Sequence, residues 1–354
     1  MQKIITIAGT RPEWVRLSRI IPKLDKLCTH IVVHTSQNKQ ECLNDIFFKE
    51  LNIRKPNYFL NVEGTLGKQL SIMFIKIEEI FRKEKPDKIL ILGDTNSGLC
   101  SIIAERMGIP VFHLEAGNRC FDKRVPEEVN RKLIDAISTY NLPYTPNSRE
   151  NLINEGIDKQ KVFVCGNPIG EVISYYQYDV NKSKVLSKLR LSSNDYFLST
   201  FHRAETVDVY ERCKEIVEGL NIIAEDYLKP VVCSIHPRTA NKLKEMKLRF
   251  HSKVMLLEPF GLFDFIQLEK NAKLILTDSG TVSEEACILG TPCVVMRDST
   301  ERPEIIECGS AMLSKVDANN ILLSTNIMLN VEDWTIPTGY DHSNVSDKII
   351  QFML

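Results

Sequence analysis

The chain has 354 residues, which at roughly 100–200 residues per domain predicts two domains. Hydrophobic residues make up 43% and charged residues 26%, a balance that excludes disordered, collagen-like and coiled-coil classes. Lys+Arg is 45 against Asp+Glu 46, a formal net charge of -1, so nucleic-acid binding lacks its basic excess, whereas a small anion needs only a local positive site.

Along the chain, short β-branched runs alternate with longer helical patterns. Strands are expected at Ile4–Ala8, Ile31–His34, Lys88–Leu92, Val111–Leu114 and Val162–Cys165. Helices are expected at Pro12–Leu24, Gly67–Arg82, Ser97–Arg106, Glu127–Ile137, Ser148–Glu155 and Gly170–Tyr178. The polar stretch Asn181–Asn194 interrupts the pattern, and then the same rhythm restarts. Its strands are expected at Tyr196–Thr200, Val231–Ile235, Val254–Leu257, Leu274–Thr277 and Cys293–Met296. Its helices are expected at Val207–Ala224, Thr239–Met246, Phe263–Lys270 and Val282–Leu289, with a last amphipathic helix over Ser343–Leu354.

This alternation predicts an α/β fold of parallel sheets with helices on both faces. Ligands of such folds sit beyond the carboxyl ends of the strands, and two such domains place the site in the cleft between them. No apolar run approaches the ~18 residues of a membrane helix, so no membrane partner is expected. Met1–Glu13 reads as a first strand rather than a signal peptide. The ten cysteines, at positions 28, 42, 100, 120, 165, 213, 233, 287, 293 and 308, contain no C-x-x-C pair. That scatter predicts reduced thiols in a cytoplasmic chain, with no disulfide framework and no zinc site.

The chemistry gathers at strand ends. Gly9-Thr10-Arg11-Pro12-Glu13 follows the first strand, where Gly9 suits a tight turn and Pro12 a first helical turn. Arg11 then stands at a helix N-terminus, which favours an anion, and Arg16 lies about one helical turn further on. No G-x-G-x-x-G follows this strand and no Walker A loop occurs. Leu92–Ser97 ends a strand in Gly93-Asp94; on its own, Asp94 reads as an N-cap or turn residue. A third strand end carries His113-Leu114-Glu115-Ala116-Gly117-Asn118-Arg119. Pro126 then opens a helix with Glu127 and Glu128 in its first turn, where Glu128 fits ordinary helix-dipole chemistry. A loop joins Glu115 to Glu127, and Asp94 ends the neighbouring strand. Three carboxylates converging in one cleft suit proton abstraction and return at carbon.

In the second half, Ser199–Glu205 puts His202 at a strand end, where simple packing and diphosphate binding or acid catalysis fit equally well. Ser234–Arg238 repeats the pattern with His236. Leu274–Thr277 runs into the small-residue turn Asp278-Ser279-Gly280-Thr281 and then a helix. The N–H groups of Ser279, Gly280 and Thr281 suit a phosphate cradle, and Glu285, a turn into the helix, suits ribose hydroxyls. Arg297–Glu304, including Arg302, follows the next strand and supplies an Arg-rich neighbour.

Together these pieces resemble the UDP-N-acetylglucosamine 2-epimerase family over nearly the full length. The matching segments are GTRPE near the start, GDT at 93–95, HLEAG at 113–117, PEEVNR at 126–131, HRAE at 202–205, DSGTVSEE at 278–285 and RDSTERPE at 297–304. The resemblance implies two Rossmann-like domains in a glycosyltransferase-B arrangement, with a UDP-sugar in the cleft. It implies an N-terminal domain over 1–168, a UDP-binding domain over 169–340, and a C-terminal helix, 341–354, that crosses back to the first. By position, Asp94, Glu115 and Glu127 resemble the family's acid/base carboxylates, and His202 the histidine near the diphosphate. Arg11 resembles the phosphate-side arginine, while Ser279, Gly280, Thr281 and Glu285 resemble the UDP-holding loop and its ribose-binding glutamate. Arg16, Arg119, His236 and Arg302 complete the expected substrate-binding set. The implied chemistry is proton loss at C2 and elimination of UDP to a 2-acetamidoglycal, then re-addition with C2 inverted. It requires no redox cofactor, and the family implies a homodimer. The sequence shows no D-x-D and no metal-ligand spacing, so no metal is expected.

The sequence departs from the common pattern in several places. Arg16 stands where many members have Lys. His34-Thr35-Ser36-Gln37-Asn38 lacks the second histidine of the HTGQH form found in members activated by UDP-N-acetylglucosamine. The short loop Asn118–Arg124, with Phe47-Phe48 and Asn141-Leu142-Pro143-Tyr144, looks more like a capsule and O-antigen branch that epimerises modified sugars. The substrates of that branch include UDP-6-deoxy-L-talosamine derivatives, epimerised to UDP-N-acetyl-L-fucosamine, and diacetamido-uronates. Ala136 occupies a place where that branch has His. Two enzyme rivals are a hydrolysing member releasing UDP and free sugar, and a glycosyltransferase of the same fold. The transferase leaves the three grouped carboxylates unexplained. A catalytically dead nucleotide-sugar sensor is opposed by intact Asp94, Glu115, Glu127 and His202.

Overall fold

The computed structural model describes residues 1–35 and 48–354. The expectations placed on Ser36-Gln37-Asn38, Cys42 and Phe47 lie outside the described residues. The chain divides into two units, Met1–Ser174 with Thr338–Leu354, and Tyr175–Pro337. It passes from one to the other inside a helix, Pro168–Asn181.

The first unit holds strands β1 (Lys3–Ala8), β2 (Thr29–His34), β3 (Tyr58–Phe59), β4 (Lys88–Leu92), β5 (Val111–Leu114) and β6 (Tyr140–Leu142). They form one parallel sheet in the order β3-β2-β1-β4-β5-β6. The second holds β7 (Phe197–Thr200), β8 (Val231–Ser234), β9 (Val254–Leu257), β10 (Leu274–Thr277), β11 (Cys293–Val295) and β12 (Ala311–Leu313). Its parallel order is β12-β11-β10-β7-β8-β9, the same doubly wound pattern counted from the other edge. The α/β class is as expected. In such sheets the strand order reverses at one point, and ligands bind beyond the strand ends there. The reversal lies between β1 and β4 in one unit and between β7 and β10 in the other. The motifs around Arg11, Asp94, His202 and Ser279 follow those four strands.

Helices bury both faces of each sheet. Ile4, Ile5 and Ile7 alternate sides along β1 and are all fully buried. On one face, Ile5 and Ile7 join Met73, Ile77, Ile80 and Phe81, one stripe of the Leu66–Glu84 helix. In the second unit, Phe197, Val231 and Leu276 pack with Ile216, Leu220 and Ile223 of Tyr210–Asp226 and with Ile321 and Met328 of Ala318–Met328. Among the described residues the nine cysteines are free, and no helix is long and apolar enough to cross a membrane.

Several elements differ from expectation. Val162–Cys165 is not a strand; Val162 makes one bridge to Asn141, and the N–H groups of Phe163 and Cys165 donate to Asn141 and Pro143. The sixth strand is instead Tyr140–Leu142, centred on a buried Asn141 whose amide donates to the Asp135 carbonyl. Pro12–Leu24 becomes two helices, Arg11–Leu17 and Ile21–Leu27, because Pro22 has no N–H to continue the first. Val207–Ala224 likewise splits into Ala204–Val207 and Tyr210–Asp226. The stretch Asn181–Asn194 contains a short helix, Val185–Leu189. The last helix, Val345–Met353, belongs to the first unit: Lys23 Nζ donates to Ser346 and Asp347 at 2.7 Å each, and Phe352 packs edge-on to Phe112 and Tyr140.

Candidate active site

Beyond β1 the chain turns at Gly9. A Cβ there would lie 2.0 Å from the Thr35 hydroxyl and 2.5 Å from that of Ser97, so no side chain fits. Arg11 is exposed at the start of its helix, while Arg16 is buried and its Nε approaches Glu115 to 4.0 Å. Glu13 is buried between them. It accepts the Gly9 and Thr10 N–H groups at 2.5 and 3.1 Å and the Thr95 hydroxyl at 2.6 Å, tying the β1 turn to the β4 turn. Burial outweighs these bonds and lifts Glu13 from its ordinary 4.5 to about 7. The native state therefore holds a proton there that the unfolded chain releases above pH 4.5. Its stabilising contribution is complete at low pH and is lost as pH rises to about 7, on the order of 3 kcal/mol in all. Glu13→Gln keeps the shape and cannot ionise. Its Tm is expected to fall less than the wild-type Tm between pH 4.5 and 7, and equal slopes by calorimetry would remove this role.

The β4 and β5 ends adjoin. Gly93, at φ +74°, precedes Asp94, and a Cβ on Gly93 would lie 3.7 Å from Glu115 Oε2. Asp94 is held by Arg131, whose Nε and terminal nitrogen donate to Oδ2 at 3.0 and 2.6 Å. Asn130 donates to the Asp94 carbonyl at 3.0 Å. Glu115 adopts φ +73°, a left-handed conformation that side chains other than glycine seldom take. Tyr144 donates to its Oε2 at 3.3 Å, and Asn118 to Oε1 at 3.4 Å. Glu127 is half-buried in the first turn of Pro126–Ile137, the helix that supplies Asn130 and Arg131. The structure thus brings Asp94 and Glu115 together and puts Glu127 on the helix that braces Asp94.

Glu128 does more than complement a helix dipole. It is fully buried, accepts the N–H groups of Cys120 and Phe121 at 3.1 and 3.2 Å, and pairs with Arg131 at 3.1 Å. One carboxylate so fixes both the loop before the helix and the arginine that holds Asp94. Arg119, expected at the substrate, has no exposed side-chain area. It pairs instead with Asp135 at 2.7 Å and with Glu155 at 2.5 Å.

In the second unit, the fully buried Asp278 at the end of β10 accepts the N–H groups of His202 and Arg203, each at 2.9 Å. Arg203 donates back to the Asp278 carbonyl at 3.0 Å and reaches Glu301 at 3.3 Å. The His202 side chain is half exposed. His236 caps the Pro237–Glu245 helix, its Nδ1 accepting the Arg238 N–H at 3.2 Å. Burial, with the charges of His202 and Arg238, holds His236 below the ordinary histidine range. Ser279 is the N-cap of Gly280–Leu289, with Thr281 half-buried in the first turn and Glu285 buried further along. A Cβ on Gly280 would fall 2.6 Å from Glu301 Oε1, so a larger residue there would have to displace the carboxylate that Arg203 and Arg297 hold. Arg302, expected at the ligand, is buried and paired with Glu284.

The sequence reading passed over Glu13, Arg131, Asp135 and Asp278 and gave Glu128 only a helix-dipole role. For Arg131 the signal was present: it lies three and four residues after two glutamates, on one helical face. Asp278 sits beside the small-residue turn, but its bonds to His202 and Arg203 join residues far apart in the chain.

Residues 23–354 match the family model described as UDP-N-acetylglucosamine 2-epimerase. A UDP-N-acetylglucosamine 2-epimerase of Methanocaldococcus jannaschii is 44% identical, over 99% of this chain and 98% of that protein. A Pseudomonas aeruginosa UDP-2,3-diacetamido-2,3-dideoxy-D-glucuronate 2-epimerase is 35% identical, over 99% of each. The crystal structure of M. jannaschii UDP-GlcNAc 2-epimerase in complex with UDP-GlcNAc and UDP superposes with a TM-score of 0.94, at 43% identity and 99% coverage of both chains. The family match, full-length relatives and shared paired-sheet fold agree: the chain belongs to the UDP-N-acetylglucosamine 2-epimerase family and is an isomerase of that kind.

Proposed function

We propose that the chain inverts C2 of a UDP-linked N-acetyl-amino sugar by eliminating and re-adding UDP. One carboxylate of the set Asp94, Glu115 and Glu127 takes the C2 proton. The C2–H pair becomes the C1–C2 double bond as the C1–O bond breaks, so UDP leaves with that bonding pair. Another carboxylate then returns a proton to the opposite face of C2, and a UDP oxygen re-forms the bond to C1. Arg11, His202 and His236, with the N–H groups of Ser279, Gly280 and Thr281, hold the diphosphate, and Glu285 holds the ribose. No oxidant or reductant enters the balance.

The observation that carries this reading is that Asp94 and Glu115 follow adjoining strands, with a Cβ on Gly93, next to Asp94, only 3.7 Å from Glu115 Oε2. A nucleotide-binding turn alone would serve a transferase equally well. The substrate we favour is a modified amino sugar of surface-polysaccharide synthesis, such as the precursor of UDP-N-acetyl-L-fucosamine or a diacetamido-uronate. The name of the P. aeruginosa relative supports that choice. We further propose a cytoplasmic homodimer.

The test is a proton NMR time course in D2O with UDP-N-acetylglucosamine and, separately, a UDP-L-talosamine derivative. Deuterium at C2 in a UDP-linked epimer is the expected result. Free sugar with UDP would replace re-addition by hydrolysis, and absence of exchange with either sugar would overturn the proposed reaction on these substrates.

A further inference from the structure

Beneath the carboxylates, the ends of β4 and β5 are tied together by His113. Its ring is fully buried; Nδ1 lies 2.8 Å from Asp135 Oδ1, and Nε2 lies 2.9 Å from the Gly93 carbonyl oxygen. A carbonyl oxygen only accepts, so Nε2 carries a hydrogen. The other Asp135 oxygen accepts the Gly117 N–H at 3.1 Å and faces the Arg119 guanidinium at 2.7 Å. Those two partners hold Asp135 as a carboxylate. An ionised carboxylate also only accepts, so Nδ1 carries a hydrogen as well.

We propose that His113 is a buried imidazolium whose two N–H donors clamp the Gly93-Asp94 turn and, through Asp135, the Glu115–Gly117 turn, acting as a positioning residue that keeps Asp94 and Glu115 at their working separation. The catalytic part of this assignment rests on the acid/base reading of those two carboxylates; the charge state does not. The charged groups around the ring are Asp135 from the Pro126–Ile137 helix, Glu115 at the end of its own strand, Asp94 beside the Gly93 carbonyl, and Arg119 behind Asp135. Burial opposes the ring charge, but the bonds to Asp135 and Gly93 and the field of Glu115 outweigh it and raise His113 above its ordinary value. His113 is therefore a source of stability that is complete below pH ~6.5 and is lost only as pH rises through the raised native value.

The charge is read directly by nitrogen–proton NMR of histidine-labelled wild-type protein at pH 8. There an ordinary imidazole, with a pKa of about 6.5, is neutral. The His113 signal, assigned through contacts to Asp135 and Gly93 protons, is expected to show both ring nitrogens protonated. One bare nitrogen would overturn the proposal. In parallel, His113→Gln keeps a donor for Gly93 and loses the one for Asp135. C2 exchange is expected to drop on the order of 100-fold in kcat, with the affinity for UDP unchanged. Unchanged kcat in His113→Gln beside lost exchange in Glu115→Gln would overturn the positioning role alone. Normal exchange in Glu115→Gln would overturn the acid/base reading, and the catalytic role of His113 with it.

Discussion

Glu115→Gln is expected to abolish exchange of the substrate C2 proton while leaving UDP affinity unchanged. Glutamine keeps the shape: its one acceptor oxygen takes the Asn118 N–H, and its NH2 donates to the Tyr144 hydroxyl oxygen, so the φ +73° turn stays in place. It removes the proposed base, and general acid–base groups contribute about 100- to 10,000-fold. Glu127→Gln is expected to do the same from the helix that braces Asp94. Glu285→Ala belongs to the other unit and is expected to do the reverse, weakening UDP binding. Deuterium exchange by NMR and UDP titration by calorimetry separate the two classes. Normal exchange in both glutamine variants would remove these carboxylates from the chemistry.

The second large effect is on folding. Gly117→Ala places a Cβ 2.1 Å from the Ser148 carbonyl oxygen, at a residue with φ +81°. Neither side of that contact is free to yield. The Gly117 N–H is held by Asp135 at 3.1 Å and its carbonyl by Asn151 at 3.0 Å. Ser148 lies in the first turn of Pro146–Asn154, with its N–H held by Thr145 at 3.1 Å. A loss above about 4 kcal/mol is expected, a large share of the about 5–15 kcal/mol typical of a folded domain. Gly108→Ala is the control, because Gly108 has φ +73° but nothing within 4 Å of its Cβ position. It should cost only the backbone conformation, about 1–2 kcal/mol. Denaturant midpoints of the two variants that fall together would remove the steric argument.

Strands such as β1, β4 and β10 were legible because each is an apolar or β-branched run between a polar entry and a glycine- or aspartate-bearing turn. Tyr140–Leu142 and Ala311–Leu313 were not: unlike the equally short Cys293–Val295 they contain no β-branched residue, and Asn141 pairs its side chain with a helix carbonyl. The strand-end motifs were legible for the same reason as the long strands: an apolar run stopping at a small or acidic residue announces an exposed strand end. The bracing of the site was not, since it is made by contacts across the chain. His113 and Asp135 are 22 residues apart, His202 and Asp278 are 76 apart, and neither partner marks the other in the sequence. Arg119 and Arg302 show the converse limit. An arginine beside a ligand motif reads as an anion binder until its carboxylate partner is seen.

The left-handed backbone at Glu115 carries a further consequence. A residue with a Cβ in that conformation costs on the order of 1–3 kcal/mol that glycine would not. Selection for heat resistance alone would therefore drift toward Gly or Asn at this position. Directed evolution of this scaffold should screen turnover in every round, because its most thermostable descendants are where the proposed base is first lost.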